Sequence, residues 1–346
     1  MNLKEFASLI GLSQTTVSRA LSGYPEVRKE TRERILQAAR QHGYHPNTSA
    51  SGLATGRAGA IGIVQRSNGL FGPHMSEFLG GLGGRLIRDQ VDILVSTVET
   101  REAEEATYRR LAASKRVDGV VLHSPELDDP RIALLNDIGL PFVLHGRTNS
   151  SIPHAFLDID NFSVAHKAAA LLLDLGHRRI ALINGYRGRT FAEHRDEGFR
   201  TVHAERGLSV DAGLIGNDEF TDEAGFRLMQ AFLERPNPPT AAIAGSMMSA
   251  LGALRAILSA GLTLGRDFSL IAHDDVFPYL GPDHMVPTLT TTRSSMRLAG
   301  AHIGELLQKL LGGARPADLT EIWPIELIVR ESTGPAPGHI AFKAAV

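Results

Sequence analysis

The chain has 346 residues, which suits two or three domains rather than one, and 43% of them are hydrophobic, enough for sizeable cores. It contains no cysteine, which excludes disulfides, zinc–thiolate sites and cysteine nucleophiles. The opening segment MNLKEFASLIGLS has no apolar run of signal-peptide length and no stretch approaches a membrane span, so a cytoplasmic protein is expected. The net charge of −2 hides an uneven distribution: residues 1–57 hold eight Lys/Arg against four Asp/Glu, and the remainder holds 28 against 34. A basic head on an acidic body suits a module that meets phosphates joined to one that does not.

In chain order, residues 1–45 read as three short helices. Asn2 with Glu5 forms a capping pair for the first, which turns Leu3, Phe6, Ala7 and Ile10 to one face. Gly11 breaks it, Ser13 caps a second helix with Val17, Ala20 and Leu21 inward, and a third runs from about Lys29 to His42 around Ile35, Leu36 and Ala39. Residues 46–58 are small, polar and glycine-bearing, and form a linker or a marginal helix. From Gly59 short apolar strands alternate with amphipathic helices. Strands are expected at 60–64, 92–97, 119–123, 142–146, 179–185, 241–245 and 269–273, and helices at 76–89, 101–114, 161–175, 222–234 and 247–260. That alternation implies parallel sheets, and seven strands over this length fit two doubly wound α/β subdomains better than one.

The segment from Gly11 to Leu21 carries the strongest functional signal. A short helix, a tight glycine turn and a second short helix make a helix-turn-helix, whose second helix enters the major groove with its first residues. Those residues are Gln14 and Thr15, followed by Thr16, Ser18 and Arg19. Gln reads adenine and Arg reads guanine in bidentate fashion, while hydroxyls such as those of Ser13, Thr16 and Ser18 suit phosphate oxygens. A plain helical hairpin with a polar outer face is the bland alternative.

Context decides between them. GLSQTTVSRALSG (11–23), TRERILQAARQHGYHPN (31–47), LDIDN (157–161), LGHRRIALING (175–185), HRDEGF (194–199), DFSLIAHDD (267–275), PTLTTTR (287–293) and LIVREST (327–333) occur in order. In this the chain resembles the lactose repressor–galactose repressor (LacI/GalR) family of bacterial transcription regulators, from Asn2 to about Thr333. The resemblance implies a head over 1–46, a hinge over 47–58, and an effector-binding and dimerisation core over 59–334 like a periplasmic sugar-binding protein. The core divides into a first subdomain of 59–161 with 291–323 and a second of 162–290 with 324–334, leaving a tail over 335–346. It also implies that Leu53 wedges into the minor groove, with Asn47, Ala50 and Ala54 beside it on a hinge that folds on DNA. Ser51 and Gly52 depart from many relatives, and glycine weakens a helix by roughly 1 kcal/mol. Arg28 stands where many relatives cap the third helix with serine.

The same resemblance places an effector between the subdomains. The expected contacts are Ser67, Asn68 and Phe71 after the first body strand, Arg195 of HRDEGF, Phe220 before the helix at 222–234, and Asp274 of the Asp274–Asp275 pair. His145, Phe191, Ser246 and Arg293 complete the expected lining. Carboxylates accept from vicinal hydroxyls, arginine donates to sugar oxygens and an aromatic face stacks on C–H groups, so this chemistry suits a polyol. Arg195 has an alternative as a structural partner of Asp274, and Asp275 has one as a turn residue. The loop Gly245-Ser246-Met247-Met248 lacks the Asn-Asp common in relatives, which points to a larger effector or to Ser246 and His273 as substitutes. The run HDDVFPYL with TLTTTRSS resembles α-glucoside regulators and suggests a disaccharide. A nucleoside or phosphorylated metabolite is the alternative effector, and a transport-linked solute-binding protein the alternative function.

Nothing calls for catalysis, a metal or another cofactor. Gly80-Gly81-Leu82-Gly83-Gly84 lacks dinucleotide-fingerprint spacing, His273-Asp274-Asp275 has no third ligand at helical spacing, and neither a GxSxG elbow nor a P-loop is present. The expected partners are a palindromic operator, a small effector and a second copy of the chain, met through the 76–89 and 101–114 faces and their counterparts in the second subdomain. The tail PAPGHIAFKAAV has no heptad, so a dimer rather than a tetramer is expected.

Overall fold

Helix α1 (Leu3–Leu9) opens on a reciprocal cap, with Glu5 N donating to Asn2 Oδ1 at 3.0 Å and Asn2 N donating to Glu5 Oε2 at 2.9 Å. The computed structural model describes residues 1–21, 24–44, 57–66 and 72–338. Gly11 makes the turn at φ +70°, and α2 (Gln14–Leu21) starts where Thr16 N donates to Ser13 Oγ at 3.1 Å. Helix α3 (Lys29–Gln41) begins after Arg28 with no side-chain cap, the consequence of having arginine there. Phe6, Val17 and Ile35 are fully buried between the three helices, and the Phe6 ring stacks on Tyr44 at 4.3 Å. Arg34 ties α3 to the end of α1 by donating to Ile10 O at 3.1 Å.

The body begins where Ala58 N and Gly59 N donate to the Asp118 carboxylate at 2.6 and 2.8 Å. A first lobe is built from β1 (Ala60–Arg66), α4 (Pro73–Leu86), β2 (Asp92–Val98), α5 (Arg101–Ala113), β3 (Gly119–His123), α6 (Pro130–Asp137), β4 (Phe142–His145) and β5 (Ala155–Ile159). The chain then crosses to a second lobe. This holds α7 (Asn161–Asp174), β6 (Ile180–Asn184), α8 (Thr190–Glu205), β7 (Ile215–Asn217), α9 (Asp222–Leu233), β8 (Ala241–Ala244), α10 (Met247–Ser259), β9 (Ser269–Asp274) and β10 (Thr290–Arg293). It returns through α11 (Met296–Leu311) and β11 (Thr320–Trp323), and crosses a last time into β12 (Glu326–Ile328).

The six-stranded sheets run β11-β5-β4-β3-β1-β2 and β12-β10-β9-β8-β6-β7. All pairings are parallel except β10–β12. Residues 291–293, expected in the first subdomain, lie in the second: Thr291–Arg293 pairs with both β9 and β12, and those ladders hold it there. Helix α4 starts earlier than 76 because Pro73 is set for a first-turn position, and its last expected residues form a 3-10 turn over Ile87–Asp89.

Each lobe wraps its sheet in helices that touch backbone to backbone. A Cβ on Gly81 would lie 1.9 Å from Arg297 O, and one on Gly300 would lie 2.1 Å from Phe78 O, so α4 and α11 meet through two glycines. Gly225 and Gly252 do the same for α9 and α10, where a Cβ would lie 2.1 Å from Ser249 O and 1.9 Å from Asp222 O. The glycine run at 80–84 thus contributes a packing surface. Among the described residues no helix is long and apolar enough to cross a membrane.

Candidate functional site

In open parallel sheets ligands bind beyond the carboxyl ends of strands where the winding direction reverses. The strand order places those reversals between β1 and β3 in one lobe and between β6 and β8 in the other. A chamber of about 260 Å³ opens there, lined from the first lobe by Gln65, His74, His123, His145 and Asp158 and from the second by Phe191, Arg195, Phe220, His273 and Asp275. An outer chamber of about 440 Å³ adjoins it, lined by Arg66, Glu104, Arg131, Tyr186, Arg189, Asp218 and Glu219.

Arg195 projects from α8. Its Nε donates to Asn161 Oδ1 at 2.9 Å and its Nη1 to Gly245 O at 2.8 Å. Burial pulls this guanidinium down to about 10, opposed by Asp275 and Asp158 nearby, so it stays charged at neutral pH. Phe191 and Phe220 flank it with ring centres 5.3 and 5.9 Å from the guanidinium carbon. A side chain on Gly245 would lie 2.8 Å from the Phe220 ring, so the bare glycine lets that ring settle onto the strand end.

Asp275 faces the chamber and bonds across the cleft to His74 Nε2 at 2.8 Å. Burial pushes its carboxyl up, but the adjacent His74 prevails and holds it below the ordinary value. His273 donates and accepts within its own lobe, with Thr292 Oγ1 and Ser294 Oγ each at 3.0 Å. Burial takes His273 down to about 3 and His145 down to about 4, and it holds His123 well below the ordinary value. His123, His145 and His273 are therefore neutral in the chamber. Further cross-lobe bonds close its edge: Arg189 Nη1 to Ser124 O at 2.7 Å, Thr190 N to Pro125 O at 3.1 Å, and Arg147 Nη2 with His194 Nδ1 at 3.1 Å.

Of the expected effector contacts, the structure brings His145, Phe191, Arg195 and Phe220 into the chamber. It does not bring Ser246, Asp274 or Arg293 to the lining of either chamber. Ser246 is fully buried and spends its hydroxyl capping α10, accepting from Ser249 N at 3.1 Å. Asp274 points the other way from Asp275, accepts from Val276 N at 2.8 Å and lies 3.6 Å from Arg293, a pairing that occupies both. Arg195 bonds Asn161 and Gly245 rather than Asp274, and of the aspartate pair it is Asp275 that faces the cleft. Ser67, Asn68 and Phe71, like the hinge residues Asn47, Ala50, Leu53 and Ala54, lie outside the described residues. In the head, Gln14, Thr15 and Arg19 are exposed along α2, Thr16 and Ser18 are half-buried, and Ser13 serves as the cap. His74, His123, Asp158 and Asn161 also line the chamber, though no motif singled them out. His123 carried a signal, since GVVLH and FVLHG are two strands that each end in histidine.

Asp158 sits at the floor of the cleft, and burial drives it up to about 6 despite Arg147 at 3.3 Å. A folded-state value above the unfolded one means that the folded chain keeps a proton the unfolded chain has released. Stability is therefore lost as pH rises from the ordinary aspartate range to about 6. Asp158→Asn is expected to raise unfolding stability by about 1–2 kcal/mol near pH 7.5 and to change it little near pH 4.5. Urea denaturation at both values checks this, and equal effects at both would show that the carboxyl is not the source.

Comparison with known proteins gives these features a lineage. Residues 2–47 match the model described as bacterial regulatory proteins, lacI family, and residues 169–333 match a periplasmic binding protein-like domain. The HTH-type transcriptional regulator AglR of Rhizobium meliloti is 49% identical over 343 residues, covering 97% of this chain and 95% of that protein. The chain belongs to the LacI family. Among solved structures, a transcriptional regulator CelR–cellobiose complex is 27% identical with a TM-score of 0.71, covering 96% of this chain and 99% of that one. A Lac repressor dimer bound to operator and the anti-inducer ONPF is 25% identical with a TM-score of 0.82, at the same two coverages of 96% and 99%. As a LacI-family member the chain is a DNA-binding transcription regulator and not an enzyme, with a helix-turn-helix head and two parallel α/β lobes.

Proposed function

We propose that this LacI-family regulator is a repressor that binds a palindromic operator as a homodimer in the cytoplasm and is controlled by an uncharged oligosaccharide, of α-glucoside disaccharide type, held in the interlobe cleft. The character of the inner chamber carries the effector reading. Its polar groups include the neutral imidazoles of His123, His145 and His273, His74 bonded to Asp275, the carboxylates of Asp158 and Asp275, the uncharged Gln65 and Asn161, and one arginine already committed to Asn161 and Gly245. Neutral imidazole offers one donor and one acceptor, a carboxylate accepts, and hydroxyls do both, so these groups match a polyol. In the inner chamber a phosphorylated metabolite would meet two carboxylates, with Arg195 already engaged by Asn161 and Gly245 and His74 by Asp275. A nucleoside would need a gap between aromatic faces, whereas Phe191 and Phe220 pack on each other at 5.7 Å and 43°. The neighbouring outer chamber gives room for a second sugar ring, and the related regulator solved with cellobiose supports a disaccharide.

A dimer is favoured because exposed Ile87 and Leu298 lie at the edge of the first lobe and Leu258 lies on the second. Two-fold symmetry in the protein then calls for a palindrome in the DNA. A sugar shifts operator affinity only as far as it binds one arrangement of the lobes better than the other. Titrating the protein against its own upstream DNA at fixed salt, with and without mono- and disaccharides, tests the proposal. Operator binding that changes with one sugar supports it, and specific binding indifferent to every sugar removes the carbohydrate reading. Gln14→Ala and Arg19→Ala are each expected to cost about 1–3 kcal/mol of operator affinity and to relax specificity at one base position. A uniform loss across all sequences, read by fluorescence anisotropy, would instead assign them to phosphate contact.

A further inference from the structure

The two chambers of the cleft meet at a waist, where Gln65, His74, His123, Phe191 and Phe220 line both of them. A molecule that fills both must be long enough to pass it. The outer chamber is the larger, at about 440 Å³, but its charged groups are spent on one another. Arg66 and Arg131 share Glu104 at 3.5 and 3.1 Å, and Arg189 donates to Ser124 O at 2.7 Å. On the opposite wall Asp218 pairs with Arg227, and Asp222 pairs with Arg255. An ionic ligand group would have to break one of these pairs.

Tyr186 offers a surface that no such pair occupies. It lies two residues beyond β6, lines the outer chamber and is 47% exposed. Among the described residues no other ring and no guanidinium lies over its face. Partial burial, the facing Glu219 carboxylate and the charge of Asp218 push its phenol up to about 12, so the ring stays neutral. The backbone beneath it is anchored. Asn217 Nδ2 donates to Gly185 O at 2.8 Å, and a Cβ on Gly185 would lie 2.6 Å from the Phe191 ring. An open aromatic face thus follows, in the chain, the glycine on which a waist phenylalanine rests.

We propose that Tyr186 is the platform on which the second ring of the effector stacks, and that it makes this regulator select a disaccharide over a monosaccharide. The inference rests on the carbohydrate reading of the cleft. The first ring occupies the inner chamber, where Asp158, Arg195 and Asp275 meet its hydroxyls. The glycosidic bond passes the waist, and the second ring lays the C–H groups of one face on the tyrosine. The face of an aromatic ring is electron-rich and C–H groups are weakly positive, so this contact adds to the gain from hiding apolar area. A single sugar ring in the inner chamber does not reach the platform. A tyrosine already fixed at its backbone gives up little freedom on binding, which keeps most of the contact as affinity.

Calorimetry on the full-length protein with maltose, sucrose and trehalose tests this, with methyl α-glucoside measured by its displacement of whichever disaccharide binds. Tyr186→Ala is expected to weaken the disaccharide by about tenfold, the worth of covering roughly half an aromatic side chain. Methyl α-glucoside is expected to keep its affinity for that variant within about twofold, and Tyr186→Phe to keep the disaccharide within about twofold. An alanine variant that binds the disaccharide as the native protein does, or that loses both sugars equally, overturns the platform. So does a phenylalanine variant as weak as the alanine one, which would assign the contact to the hydroxyl. Methyl α-glucoside that fails to displace the disaccharide overturns the placement of the first ring in the inner chamber, and the platform with it. Failure of every sugar to bind the native protein instead overturns the carbohydrate reading itself. If the alanine variant does not fold, by circular dichroism, Tyr186→Leu, which keeps apolar bulk without a flat face, takes its place with the same expectations.

Discussion

Arg195→Met is expected to abolish the response to the effector while operator binding persists. The substitution keeps the length of the side chain but removes the donors to Asn161 Oδ1 and Gly245 O, and it strips Asp158 and Asp275 of their shared cation. Truncating one partner of a buried, hydrogen-bonded charged group costs about 2–5 kcal/mol, which corresponds to a loss of sugar affinity of roughly 30-fold to several thousand-fold. Arg195→Lys retains the charge but not the planar fork, so it is expected to recover little of that loss. Calorimetry measures the affinity, and a DNA mobility shift at rising sugar concentration measures the response. A methionine variant that still released or engaged DNA at native sugar concentrations would place the effector elsewhere.

Gly81→Ala carries the largest expected cost in stability. The added methyl would lie 1.9 Å from Arg297 O and 3.0 Å from Ala301 N, which are backbone atoms of α11 and cannot rotate away. Helices α4 and α11 must therefore separate, and overpacking of this kind costs at least about 3 kcal/mol. Gly84 lies on the same helix with nothing within 4 Å of its added methyl, so Gly84→Ala is expected to stabilise by roughly 0.5–1 kcal/mol through helix propensity. Thermal melts of the two variants should move in opposite directions. Equal shifts would mean that α4 does not seat on α11 through Gly81.

The architecture was legible where a local pattern had one physical reading. The Asn2–Glu5 cap, the Gly11 turn and the inward faces of the head helices follow from residue chemistry within a few positions, and the structure has them as expected except that Leu36 of α3 is exposed rather than packed with Ile35 and Ala39. The seven expected body strands form as well, since each is an apolar run between turn signals. Strands β5, β7, β10, β11 and β12 were not expected; the last four are only three or four residues long, and β10 reads Thr-Thr-Thr-Arg with no apolar run at all. Their existence depends on a ladder offered by a neighbouring strand, which lies far away in sequence.

The cleft divided along the same line. Arg195 and Phe220 stand in recognisable segments, and both reach the chamber. Choosing Asp274 over Asp275 required knowing which of two adjacent side chains faces inward, and a strand end fixes that through its register rather than its composition. Ser246 had a hydroxyl in the right loop, but the first turn of α10 claims it. His74 and Asp158 meet the second lobe only because two sheets face each other, a relation that no local pattern encodes.

The order of strands also bears on synthesis. The first lobe needs β11 as an edge strand and α11 as a cover, yet both follow all of the second lobe except β12 in the chain. Roughly 160 residues separate β5 from β11, which at ribosomal rates of about 5–20 residues per second amounts to about ten to thirty seconds. Through that interval the emerging first lobe has a bare edge at β5 and an uncovered face on α4. A polypeptide that leaves the ribosome amino end first thus finishes its first lobe almost last, and the stretch in between is where a nascent-chain chaperone has the most to shield.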